Sequence, residues 1–167
     1  MKRIFSALVT TLALSLSSVA VYAANDDQIS GYWRSIDDAT GFAKAIVHIQ
    51  AASNGTYLAT IAETVERPNY TAAEFCVDCP APFTNRKIVD MPVVWNMKAD
   101  PKKDLHYTGG YIIDPLSGKI YAAEAKLSPD NRRLTLRGKV IGAGVLNRSQ
   151  TWLREINYTP QAKKIIR

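Results

Sequence analysis

The sequence predicts an all-β fold, an eight-stranded antiparallel up-and-down barrel, and three observations carry that expectation. Apolar and polar residues alternate with a period of two along nearly the whole chain after residue 24. No window shows the i, i+3, i+4, i+7 apolar spacing of a long amphipathic helix. Turn sequences, among them Ser53-Asn54-Gly55, Asp114-Pro115-Leu116-Ser117-Gly118 and Ser128-Pro129-Asp130-Asn131, interrupt the alternation at hairpin spacing.

The first strand is expected over about Ser30 to Ile36, followed by the polar connection Asp37-Asp38-Ala39-Thr40-Gly41. The second holds Ala45, Val47 and Ile49 on one face, and the third runs from Tyr57 to Val65. Glu66 to Asp90 reads as one long irregular segment, because Pro68, Pro80 and Pro82 argue against a central strand or a regular helix. It is long enough to serve as a lid or a plug.

Strand four places Met91, Val93, Trp95 and Met97 on one face, and strand five places Leu105, Tyr107, Gly109, Tyr111 and Ile113 likewise; both faces are expected to look inward. Strand six carries Tyr121, Ala123, Ala125 and Leu127 on one side. Strand seven alternates Leu134, Leu136, Gly138 and Val140 with Arg133, Thr135, Arg137 and Lys139, so its outer face is basic and solvated. The last strand, Ser149 to Ile156, leads into a basic tail over 157–167. Eight short strands joined mainly by tight turns fit a closed barrel, which leaves no free edge, better than a sandwich with long crossovers.

The N-terminus has the layout of an export signal. Met1-Lys2-Arg3 precedes an apolar run from Ile4 to Val21, and Val21-Tyr22-Ala23 supplies the small residues of a cleavage site. Residues 1–23 are therefore expected to be a cleavable signal peptide and residues 24–167 a single domain, secreted or delivered to a bacterial periplasm. The run is interrupted by Ser6, Thr10, Thr11, Ser15, Ser17 and Ser18, and no second apolar stretch follows, so no transmembrane segment is expected in the mature chain. Without Lys2 and Arg3 the 21 basic residues become 19 against 15 acidic ones, a net charge of +4. That bias is too mild to argue for a nucleic-acid partner.

Gly31-Tyr32-Trp33 with Asp37, the Cys76-Val77-Asp78-Cys79 pair, Gly109-Gly110 through Asp114-Pro115, Ser117-Gly118-Lys119 to Tyr121, Arg137-Gly138, and Arg148-Ser149-Gln150-Thr151-Trp152-Leu153-Arg154 run through most of the mature region. In these pieces the chain resembles the bacterial envelope proteins grouped as domain of unknown function 2147 (DUF2147), departing from their pattern at Asn147, where a glycine is expected. The resemblance implies a lipocalin-like barrel and an export signal, without an established activity. Lipocalin-like barrels begin with a Gly-x-Trp strand and end with a basic side chain packed across that tryptophan. Trp33 and Arg154 fit those places, with Trp152 beside them in the last strand, and the three are expected to close one end of the barrel.

Cys76-x-x-Cys79 is the sharpest chemical motif, and in an oxidising compartment the pair is expected to be a disulfide that shapes the long loop. Thiol-redox catalysis is the lesser reading, since the pair sits in a proline-rich loop without βαβ context. His48 and His106 stand on separate strands at no metal-ligand spacing, so no metal or cofactor is expected. No Gly-x-Ser-x-Gly elbow is present, and Asp37, Asp38 and Asp114 all fall in turns, where carboxylates hydrogen-bond backbone amides. A binder is therefore expected rather than an enzyme.

The inward aromatics Trp95, Tyr107, Tyr111 and Tyr121, interleaved with Gly109, Gly110, Ala123 and Ala125, are the candidate lining of a cavity for a small hydrophobic or amphiphilic molecule. The alternative is a filled barrel acting as a non-enzymatic envelope interaction protein through its disulfide loop or its basic strand.

Overall fold

A computed structural model of the chain describes residues 28–38, 40–141 and 147–160. The expected export signal and the end of the basic tail lie outside the described residues. Among those residues there are ten strands: β1 (Gly31–Ile36), β2 (Ala43–Ala51), β3 (Tyr57–Thr64), β4 (Phe75–Cys76), β5 (Arg86–Lys87), β6 (Pro92–Ala99), β7 (His106–Ile113), β8 (Ile120–Leu127), β9 (Arg133–Val140) and β10 (Asn147–Arg154). Eight of them form a closed antiparallel barrel in the order β1-β10-β9-β8-β7-β6-β3-β2. Each barrel strand lies beside its neighbours in the chain, and β1 pairs with β10 to close the circle.

The turns carry the residues their geometry demands. Gly55 and Gly118 adopt φ of 74° and 66°, and Asn131 adopts 57°, the left-handed region in which Gly and Asn are accommodated. The long segment is more regular than its prolines suggest. Asn85, at φ 54°, turns the chain so that Phe75 pairs with Lys87 and Cys76 with Arg86, making β4 and β5 a miniature hairpin.

The two ends of the barrel differ. At the end formed by the β2–β3, β6–β7 and β8–β9 turns, Ile29, Trp33, Met97, Leu127 and Leu134 are buried and fill the interior. The space left in that half is about 10 Å³, no more than one water molecule occupies. Among the described residues, the opposite end, bounded by the β1–β2 and β7–β8 turns and the long loop between β3 and β6, contains open space.

Register decides which side chains reach that space. Residues directly opposite one another share a face, and Ala59 with Val94, Val94 with Ile112, and Ile112 with Tyr121 form one inward row. Trp95 and Tyr111 pair with each other on the opposite, outer face. The cause is a pair of facing β-bulges. Asn96 (φ 60°) and Gly109 (φ 74°) each insert a residue, so Met97 and Tyr107 return to the inside while Trp95 and Tyr111 do not. A Cβ on Gly110 would stand 2.9 Å from Met97 Cβ and 3.0 Å from the Trp95 carbonyl oxygen, so glycine is what lets the two bulged strands approach. The expected uniform inward faces of strands four and five are thus corrected: strict alternation breaks once in each.

Candidate ligand cavity at the open end of the barrel

The cavity has a volume of about 120 Å³. A single water needs on the order of 10–15 Å³, so the space admits a small organic molecule. Its deep wall is apolar: Ala45, Val47, Ile61, Ile112, Leu136 and Trp152 project into it from five strands around the barrel. The inward row along β10 changes character toward the mouth, from Trp152 through Gln150 to Arg148, because alternate residues of a strand share a face.

The polar groups cluster at the rim. Arg148 Nη1 donates to Asp114 Oδ2 at 2.9 Å, while Asp114 Oδ1 accepts the Leu116 N–H at 3.0 Å, so the β7–β8 turn holds the carboxylate and the carboxylate holds the arginine. Burial works against the Arg148 charge, but the Asp114 carboxylate and the Tyr121 hydroxyl outweigh it and raise its pKa above the usual arginine value. Tyr121 is only 9% exposed, and its ring lies across Gly138, where a Cβ would meet Tyr121 Cβ at 3.0 Å. Ser35, 6% exposed, opposes Ala45 and Trp152, and Thr64 also opposes Ala45, so both hydroxyls share the inward face and line the cavity. Gln150 Oε1 accepts the Trp152 indole N–H at 2.9 Å.

The long loop supplies the roof, with Tyr70, Ala72, Ala73 and Ile88 in the lining. It is fastened twice. The Arg67 guanidinium lies 4.5 Å from the Tyr70 ring centroid and 5.1 Å from that of Phe42, and it donates to Thr40 Oγ1 at 3.1 Å, joining the loop to the β1–β2 turn. On the other side Cys76 and Cys79 are paired at disulfide distance and buried, and Cys79 Sγ lies 3.8 Å from the Pro115 carbonyl oxygen. The Asp78 carbonyl oxygen comes so close to Gly118 that a Cβ there would stand 2.0 Å away.

Of the four aromatics expected to line a cavity, Tyr121 does so. Tyr107 faces inward but sits in the filled half, edge-on to Tyr57 with 5.5 Å between ring centroids. Trp95 and Tyr111 stack outside the barrel at 5.8 Å, and Phe83 of the disulfide loop packs on Trp95 at 5.4 Å. The bulges at Asn96 and Gly109 explain the displacement. At the closed end the Arg154 guanidinium lies over the Trp33 ring, and Trp152 stands between the filled half and the cavity, lining both.

His48 stacks on Tyr32 at 4.3 Å on the outer face, and His106 Nδ1 lies 2.9 Å from the Asp104 carbonyl oxygen, so the two histidines are not brought together. Among the described residues no group of three or more His, Cys, Asp or Glu side chains is arranged to hold a metal. The polar set Ser35, Thr64, Arg148 and Gln150 was missed in the sequence; its only signal was that Arg148 and Gln150 keep step with Trp152.

Residues 31–154 match the model of the family described as "uncharacterized protein conserved in bacteria (DUF2147)". The chain belongs to this family. Among solved structures, the chain is similar to protein HP1028 from the human pathogen Helicobacter pylori, described as belonging to the lipocalin family. The similarity has a TM-score of 0.62 at 17% identity and covers 77% of this chain and 83% of that one, which makes the barrel lipocalin-like in fold. No curated protein is significantly similar in sequence.

Proposed function

We propose that this DUF2147 protein is a periplasmic carrier or sensor that holds one small hydrophobic or amphiphilic molecule in the open half of its barrel. The observation that carries this reading is the division of the interior: one half packed to within a single water, the other open, apolar in its depth and polar at its rim. The export-signal pattern at residues 1–23 and a cysteine pair suited to an oxidising compartment support the location. The buried sulfurs of Cys76 and Cys79 favour a structural use over thiol exchange, which needs access for an attacking thiolate.

Native mass spectrometry of the protein purified from bacterial periplasm, followed by extraction, tests the reading. A stoichiometric amphiphile bound to the chain supports it. A chain that carries nothing, and takes up nothing when small amphiphiles are offered, overturns it.

A second reading, an envelope interaction protein, draws on one observation: Phe75 and Val77 of the disulfide loop, and Leu116 of the turn that this loop abuts, are each exposed. The basic outer face of β9 supports it less. Glu124 pairs with Lys139 at 2.8 Å and stands opposite Arg137, so part of that charge is neutralised within the barrel wall.

A further inference from the structure

The polar lining of the cavity is unbalanced in a way that selects for one kind of head group. Both oxygens of Asp114 are occupied, one by Arg148 and one by the Leu116 amide, and the Gln150 oxygen is occupied by Trp152. Each of the strongest acceptors of the rim therefore already has a donor within the protein. Left facing a bound molecule are mainly donors: the N–H groups of Arg148 beyond those held by Asp114 and Tyr121, the amide N–H₂ of Gln150, and the hydroxyls of Ser35, Thr64 and Tyr121, which donate as well as accept. Lys44 also belongs to the lining, so Lys44, Arg148 and Asp114 together give the rim a formal charge of +1. A guanidinium held through one Nη by a carboxylate presents its other N–H groups in the same plane, the geometry that engages two oxygens at once.

We propose, building on the carrier reading, that the occupant is an amphiphile with an acidic head, a carboxylate or a phosphate monoester, seated against Arg148 with its apolar body extending toward Trp152. The shared chemistry is an anionic group of two or more oxygens, able to accept from Arg148, Gln150 and a hydroxyl together. An alcohol or an amine head would leave most of these donors unanswered or repelled.

Calorimetric titration of the full mature chain with decanoate, decyl phosphate and decanol tests the inference. At least one acid is expected to bind about tenfold or more tightly than decanol, and the tighter acid identifies the head. Arg148→Gln is expected to remove that preference, weakening the tighter acid far more than decanol, and Arg148→Lys, which keeps the charge, to retain part of it. Cooperative urea unfolding of each variant establishes that it is folded. Equal binding of decanol and both acids, or an acid preference that survives in Arg148→Gln, overturns the head-group assignment and leaves the carrier reading standing. Failure of all three to bind the wild-type chain counts against the carrier reading itself and takes the head-group assignment with it.

Discussion

The Arg154 guanidinium lies 4.2 Å from the centroid of the Trp33 ring, clamping the last barrel strand across the first. The same guanidinium donates to the carbonyl oxygens of Gln28, Ser30 and Asn131, while the Trp33 indole N–H donates to the Ile29 carbonyl at 2.8 Å. One arginine thereby joins the N-terminal segment, the β8–β9 turn and the core tryptophan at the filled end.

Trp33→Ala should lower unfolding stability by about 3–5 kcal/mol, because it empties a fully buried position. In a double-mutant cycle with Arg154→Met, urea unfolding should give a coupling of about 0.5–2 kcal/mol. Independent effects of the two substitutions would show that the clamp adds nothing beyond burial.

The contact between the disulfide loop and the β7–β8 turn depends on glycine. Gly118 has φ 66° and no room for a Cβ beside Asp78, so Gly118→Ala should cost about 1–3 kcal/mol. It should also quicken reduction of Cys76–Cys79 by a mild thiol, followed by alkylation and mass measurement. An unchanged reduction rate would mean that the turn does not shield the bridge.

Burial beside Tyr32 pushes His48 below its ordinary pKa of 6.5. The unfolded chain then takes up the proton first as pH falls, so the His48 contribution to stability is whole above the unfolded value and lost as pH drops through the window beneath it. Urea midpoints should fall more between about pH 7.5 and pH 5.5 in the wild type than in His48→Gln. Equal falls would remove His48 as the source.

The outer and inner aromatics should separate functionally. Tyr111→Ala should lower stability by about 0.5–1.5 kcal/mol through loss of its stack with Trp95, while leaving ligand affinity unchanged, whereas Tyr121→Ala should alter affinity several-fold. Loss of binding in Tyr111→Ala, measured on folded protein, would place the ligand on the wrong side of the wall.

Much of the barrel was legible because period-two alternation and turn chemistry are local signals: the β8 face of Tyr121, Ala123, Ala125 and Leu127 lies inward as its spacing implies. The two bulges were not legible. Asn96 and Gly109 are compatible with unbroken strands, and only the crowding of Met97 and Trp95 against Gly110 shows why both strands slip together. The cavity was visible in part, through Tyr121. Its polar rim was hidden because Arg148 and Asp114, 34 positions apart, meet only when the barrel carries β10 to within reach of the β7–β8 turn across β9. The pairing of Cys76 with Cys79 was legible from the Cys-x-x-Cys motif together with the oxidising compartment that the export-signal pattern implies, but the use of their loop as a roof is tertiary.

The central claim, that the open half of the barrel is a binding site, is tested most directly by filling it. Ala45 is buried in the cavity wall, and Ala45→Phe places a ring in the space without touching the closed end. Fluorescence titration with an apolar naphthylamine dye should give saturable one-to-one binding to the wild-type chain, weakened about tenfold or more in an Ala45→Phe variant that still unfolds cooperatively. A dye that binds both proteins equally, or neither, would contradict the account.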